Sequence, residues 1–260
     1  ITGSSRGIGK AIALELAKRG AFIVLNGRNS PRLQSALEEV SKIQSKVVSH
    51  CCDVSNAEDS VELINTAIST FGKLDILINN VGVSMRGDLA DLNPKVFKKV
   101  FESNVYGSVN PTIPALKEIR KTQGSIVFIS SLAGIRGLPY LSAYSSSKMA
   151  LRAIAESIRI EEKEYNIHVG LILVGITQIE HNKETISSDG SKKILKKRDA
   201  AKVDSTERVA QKVIENIKKK KFITTLTTIG KLNKFLQARF PMLVEKIILK
   251  NLKKFKEKSE

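Results

Sequence analysis

The chain is poor in the residues that staple, ligate or span. Of 260 residues, two are cysteine, three are histidine and none is tryptophan. Cys51 and Cys52 are adjacent. Neighbouring cysteines rarely pair, so no disulfide framework is expected, and a reducing cytoplasmic setting fits best. The two read as a redox pair or, more simply, as small apolar residues on a buried strand. His50, His168 and His181 are scattered without metal-ligand spacing, so no metal site is expected. No apolar run approaches the roughly 18 residues of a membrane span. No signal peptide is visible, but the chain opens at Ile1 rather than at methionine. Residues are therefore expected to precede it, and the missing leader excludes little. Aromatic residues make up 5% and no recognition motif accompanies them, which leaves nucleic acid a poor candidate partner. Acid is scarce near the C-terminus. Residues 192–260 hold 21 Lys and Arg against 7 Asp and Glu, a surplus of 14 out of the chain's net +17.

What is present reads as globular. Hydrophobic residues are 42% and charged residues 27%, and the length suits one large α/β domain. Strand and helix signals alternate. "GKAIALELAKRG" (9–20) is a helix closed by glycine, and "AFIVLNG" (21–27) is a buried strand. "SPRLQSALEEVSKI" (30–43) is a helix with Ser30 as N-cap and proline in the first turn. A strand over 46–54, a helix over 56–71 and a strand over 74–82 follow. The next helix, 93–121, is expected to bend near Pro111 and Pro114. A strand over 124–131, a helix over 142–165 and a strand over 168–175 complete the pattern. Repeated βα units with near-continuous apolar strands imply a parallel sheet covered on both faces, with ligands at the carboxyl ends of the strands. No internal repeat or linker divides it.

Several short motifs fall at those strand ends. Ile1 reads as the last residue of a first strand. It is followed by "TGSSRGIG" (2–9), where Gly3, Gly7 and Gly9 lead into a helix. Such a turn lets backbone approach a pyrophosphate, and the helix start supplies amides and a favourable dipole. "CDV" (52–54), "NNVG" (79–82), Asn104 in "SNVYG", Ser131 in "ISSLAG" and "YSSSK" (144–148) follow in order, with Ser131 thirteen residues before Tyr144. In this set and order the chain resembles the short-chain dehydrogenase/reductase family from Ile1 to about Thr177. The nearest likeness is to the branch acting on hydroxysteroids and on ketoacyl or lipid ketones.

The resemblance implies a three-layer, doubly wound, Rossmann-type domain over residues 1–228. A substrate lid is expected at about 176–203 and a basic amphipathic extension at 229–260. It implies a carbonyl reductase or hydroxy dehydrogenase that moves a hydride between a nicotinamide and a ketone or secondary alcohol. Tyr144 is then proton donor and acceptor. Lys148, one helical turn away, favours its phenolate and holds the nicotinamide ribose. Ser131 bonds the substrate oxygen. Asn104 interrupts the long helix and positions a water beside Lys148. Cofactor contacts carry over onto Gly3, Ser5, Arg6, Gly7, Ile8, Gly9, Asp53, Val54, Asn79, Asn80, Gly82, Gly175 and Thr177, besides Tyr144 and Lys148. The second strand ends "LNGRN", with Arg28 where an NAD-preferring protein carries an acid. Arg28 and Arg6 together favour a 2′-phosphate, hence NADP(H). Val174 stands where the family has proline, which puts the spacing of Thr177 and the shape of the substrate loop in question.

"VEKIILKNLKKFKEK" (244–258) reads as one amphipathic helix. Val244, Ile247, Ile248, Leu252 and Phe255 form one face and lysines the other. It could pack on the core or on a sister subunit, or lie on an anionic membrane surface. A homodimer or homotetramer joined through the 93–121 and 142–165 helices is implied, in the cytoplasm or peripheral at a membrane. Two rivals to the enzyme are a catalytically silent NADP(H) sensor and a lipid-surface adaptor. The substrate is open among a 3-ketosteroid, a 3-ketosphingoid base, a β-ketoacyl thioester and a small ketone. A β-ketoacyl group on an acidic carrier protein would suit the positive surface.

Overall fold

The structure, a computed structural model, describes residues 1–178, 184–195 and 203–257. His181, Lys258 and part of the expected lid lie outside the described residues. The elements in order are α1 (Gly7–Ala17), β1 (Ile23–Gly27), α2 (Ser30–Ser41), β2 (Val47–Cys51), α3 (Ala57–Phe71), β3 (Ile76–Asn79) and β4 (Met85–Arg86). Then come α4 (Pro94–Phe101), a π-helical turn (Glu102–Tyr106), α5 (Gly107–Thr122), β5 (Ser125–Ser131), a 3-10 turn (Leu132–Gly134), α6 (Ser142–Glu161) and β6 (His168–Val174). The chain closes with β7 (Glu184–Ser187), β8 (Lys192–Ile194), α7 (Thr206–Lys218), β9 (Ile223–Thr225), α8 (Thr228–Arg239), α9 (Pro241–Lys250) and α10 (Leu252–Glu257).

The main sheet is parallel throughout. β3, β5, β6 and β9 pair side by side, and β1 pairs with β2. Ile1 and Thr2 lie between the two groups. The Ile1 nitrogen donates to Val24 O at 3.1 Å and Thr2 N to Ile78 O at 3.0 Å. This is where the sequence places the end of a first strand. Residues of β5 and β6 alternate between the two faces. Ile126, Phe128, Leu171 and Leu173 pack with Ala115, Ile119, Leu151 and Ala155 of α5 and α6. Val127, Ile129, Ile172 and Val174 pack with Ile12 of α1 and Val209 and Val213 of α7. A strand covered on both faces is apolar at every position, hence the unbroken runs in the sequence.

Two expectations are corrected, the cap of α2 and the single C-terminal helix, and two others gain detail. The N-cap of α2 is Asn29, whose carboxamide accepts from Arg32 N at 3.0 Å, not Ser30, which already lies in the first turn. The 93–121 helix is interrupted at the π turn around Asn104, as the resemblance implied, and α5 runs on through Pro111 and Pro114. Hydroxyls help there: Ser108 Oγ donates to Asn104 O and Thr112 Oγ1 to Ser108 O. Within the segment expected to form a lid, β7 and β8 form a hairpin joined to β4, with Ile186 N on Ser84 O at 3.0 Å. The C-terminal segment is not one helix. It breaks after Lys250, and of the expected inward face only Val244 is buried.

Candidate active site

The glycine turn is built so that main chain, not side chain, meets the ligand. Gly3 and Gly7 have φ of +59° and +58°, a region that disfavours side chains. A side chain on Gly9 would strike Gly3 O. Arg6, the N-cap of α1, has no side-chain acceptor to offer the first amides, and the first turn carries no acid. That leaves the helix start suited to a phosphate. Two carboxamides, the buried Asn26 and the half-buried Asn80, hold the turn from behind. Asn26 accepts from Gly3 N at 3.2 Å, and its main chain exchanges bonds with Ser4. Asn80 Nδ2 donates to Thr2 O and Gly3 O at 3.1 and 3.0 Å.

Tyr144, Ser131 and Lys148 line the same cleft of about 690 Å³ as this turn. Lys148 is 4% exposed. Its Nζ donates to Ile129 O at 3.0 Å and lies 6.0 Å from the Tyr144 ring centre. Asn104, fully buried in the π turn, grips Val83 from both sides. Val83 N donates to Asn104 Oδ1 at 2.7 Å, while Asn104 Nδ2 donates to Val83 O at 3.0 Å and to Ser147 Oγ at 2.8 Å. A Cβ on Gly82 would stand 3.1 Å from Asn104 Oδ1 and 3.2 Å from Lys148 Nζ. The ammonium and the carboxamide therefore converge on one bare α-carbon. Ser131 Oγ accepts from Ala133 N at 3.2 Å, which leaves its own proton to donate into the cleft.

Where β1 and β2 end at the cleft, Arg28 pairs with Asp53 at 3.0 Å. Burial pushes the Asp53 carboxyl up, but two bonds from Ser55 and the Arg28 guanidinium outweigh it and hold the group low. Cys52 lies beside it. Burial, aided by Asp59, Cys51 and Asp53, pushes this thiol up to about 12. Cys51 is exposed at the end of β2 and not buried as the sequence suggested. Arg32 also lines the cleft. On the β7–β8 hairpin the Lys192 ammonium lowers the carboxyl of Glu184, with smaller contributions from Arg6 and Arg32.

The cleft gathers most residues that the sequence singled out. Gly3, Ser5, Arg6, Gly7, Ile8, Arg28, Asp53, Val54, Asn80, Gly82, Gly175 and Thr177 all line it. Gly9, Asn79 and Asn104 do not reach its surface. Asn79 turns into the fold instead, with Nδ2 on Thr112 Oγ1 at 2.8 Å. Thr177 is buried and bridges Asp204, so the loop after Val174 is pinned by the segment leading into α7. Sequence reasoning missed Asn26, Arg32, Arg86 and the Leu138–Leu141 wall. For Asn26 a signal existed, a carboxamide inside an apolar strand. For the others only the fold brings them to the cleft.

The cleft can hold a dinucleotide, and the comparisons agree. The family described as short chain dehydrogenase matches residues 1–190. The chain is 42% identical over 177 residues to 3-ketodihydrosphingosine reductase of Bos taurus, covering 65% of this chain and 53% of that protein. It thus spans about half the length of these relatives. It is 34% identical over 230 residues to Dehydrogenase/reductase SDR family member 7B of Bos taurus, 85% of this chain and 70% of that one. An alcohol dehydrogenase of Thermococcus sibiricus, solved with 5-hydroxy-NADP, superposes with a TM-score of 0.76 at 26% identity, over 88% of this chain and 95% of that one. A Burkholderia phymatum short-chain dehydrogenase/reductase, solved with NAD, shares the fold, with a TM-score of 0.80 at 21% identity over 94% and 93%. The glycine turn, the serine, the tyrosine and the lysine stand together in one cleft, and the chain belongs to the short-chain dehydrogenase/reductase family.

Proposed function

We propose that the chain is an NADPH-dependent reductase of an apolar, lipid-like ketone, running in reverse as a hydroxy dehydrogenase. The observation that carries this is the buried Lys148 beside Tyr144, on the cleft that Ser131 borders. The residues fit the cofactor: a positive-φ glycine turn for the pyrophosphate and arginines 6, 28 and 32 for a 2′-phosphate. Bound NADPH supplies the hydride. The chain's part is protons and positioning. Ser131 donates a hydrogen bond to the substrate oxygen. The Tyr144 phenol gives that oxygen its proton as negative charge develops, and the Lys148 ammonium favours the phenolate left behind. Asn104 holds the Val83 backbone and Ser147, which keeps the wall beside Lys148 in place.

Other features support the wider reading. Ile113, Met149 and Ile160 are exposed on α5 and α6, the helices through which a homodimer or homotetramer is proposed. Helices α8 to α10 expose Ile229, Leu232, Phe235, Met242 and Leu249 among lysines. That suits peripheral binding at the cytoplasmic face of an anionic membrane. No described helix is long and apolar enough to cross one.

The test is NADPH consumption with 3-ketodihydrosphingosine and with cyclohexanone, NADH run beside it. Expected is turnover that prefers NADPH and falls about 10²–10⁴-fold in Tyr144→Phe with NADPH still bound. Tight NADPH binding without turnover of either ketone would favour the sensor or adaptor.

A further inference from the structure

We infer that the C-terminal extension is the outer wall of the substrate cleft, that Arg136 is the positioning residue that holds it there, and that Phe255 makes the wall select ketones with long apolar tails. This rests on the reductase reading above. The wall begins directly after Ser131. Leu138, Pro139, Tyr140 and Leu141 line the cleft and run into α6. On the inner side this stretch is tied by Gly87 N to Tyr140 O at 3.0 Å and by Leu138 N to Ser145 Oγ at 3.3 Å. Tyr140 is held at a φ of +62°, a strained position for a tyrosine, so its surroundings must enforce it.

On the outer side Arg136, four residues before Tyr140, ties the same loop to the extension. The Arg136 side chain is 20% exposed. Its Nη1 donates to Gln237 Oε1 of α8 at 3.2 Å and to Pro241 O, where α9 begins, at 3.3 Å. Its Nη2 donates to Glu245 Oε2 of α9 at 3.3 Å. One guanidinium thus spans α8, the junction and α9, which the planar fork allows and a single ammonium does not. Glu245 is the acid that faces it. Two apolar contacts flank this latch. Val244 is buried, and Gly230 lies so close to Leu132 that a Cβ there would stand 2.7 Å from Leu132 Cδ2. Leu132 also lines the cleft, so the extension grips both ends of the 132–136 segment. Beyond α9, Phe255 of α10 lines the same cleft as Tyr144. The extension therefore offers an apolar surface to whatever part of the substrate projects away from the reacting carbonyl.

Hydrogen exchange and kinetics on the full chain test this. In Arg136→Ala, exchange of α9 amides should rise about tenfold while α1 amides stay unchanged, with Arg136→Lys between wild type and alanine. KM for 3-ketodihydrosphingosine should rise in Arg136→Ala and in Phe255→Ala, with kcat unchanged and KM for cyclohexanone within about twofold. Unchanged α9 exchange in Arg136→Ala overturns the latch. So does a uniform rise that includes α1, since that marks a generally weakened fold. An equal KM change for both ketones overturns the selection. If wild type reduces neither ketone, the reductase reading falls, and the exchange result still decides the wall.

Discussion

At the scale of single residues, the site depends on what is left out as much as on what is present. Tyr144 and Lys148 are useful only because Gly82 lets Lys148 Nζ and Asn104 Oδ1 approach the same α-carbon. A methyl at position 82 meets both within 3.2 Å. Neither can yield freely, because Lys148 is tied to Ile129 O and Asn104 to Val83 and Ser147. Gly82→Ala should therefore cut kcat by about tenfold through displacement of the ammonium, with NADPH affinity within about threefold. Stopped-flow turnover and fluorescence titration of NADPH check the two halves, and unchanged kcat sinks the argument. The residue types were legible in the sequence because each motif is short and local. The supporting residues were not, because Asn26 and Ser147 gain their roles from partners 23 and 43 positions away.

At the scale of elements, alternation and continuous apolar runs correctly announced the sheet. Boundaries and breaks moved where a tertiary partner outweighed a local preference. Helix α5 continues through both prolines, and the chain departs from regular helix at Asn104, where the resemblance placed an interruption and where the carboxamide makes three hydrogen bonds, to Val83 N, Val83 O and Ser147 Oγ. His168 shows how elements are joined. It begins β6 and accepts from or donates to Ser125 Oγ of β5 at 3.2 Å. Its Nε2 meets Lys221 O, just before β9, at 2.9 Å. A carbonyl at Nε2 requires the proton there, so the neutral ring fits with Nδ1 as acceptor. Burial, more than the nearby Lys220, holds its pKa below the ordinary value, although the Lys221 carbonyl opposes this. Below about pH 6.5 the unfolded chain then binds more protons than the folded one. Stability is fully present above that value and is lost as pH falls towards the folded pKa. The melting temperature of wild type should drop more between about pH 7.5 and 5.5 than that of His168→Asn. Parallel curves for the two would assign the acid sensitivity elsewhere.

At the scale of the whole molecule, charge and exposed apolar surface are concentrated in one place. The extension presents Lys231, Lys234, Lys246 and Lys250 beside large exposed side chains, of which Ile229 is 80% exposed. Each lysine near an anionic bilayer contributes about 1 kcal/mol. The full chain should sediment with phosphatidylserine vesicles and not with phosphatidylcholine vesicles, and salt should release it. Lys231→Glu with Lys234→Glu should weaken this binding while cyclohexanone turnover persists. Equal binding to both vesicle types, or none, removes the membrane from the proposal.

The order of elements, and the glycine turn, serine, tyrosine and lysine that meet in the cleft, were determined by sequence, since local patterns of a few residues specify each. The tertiary structure alone decided which residues share the cleft. It placed the β7–β8 hairpin on β4, split the C-terminal segment into three helices and turned them back onto Arg136. Those outcomes depend on contacts between residues some hundred positions apart. No local period encodes such contacts, because packing of Gly230 on Leu132 and burial of Val244 become favourable only once the fold has brought the extension to that loop.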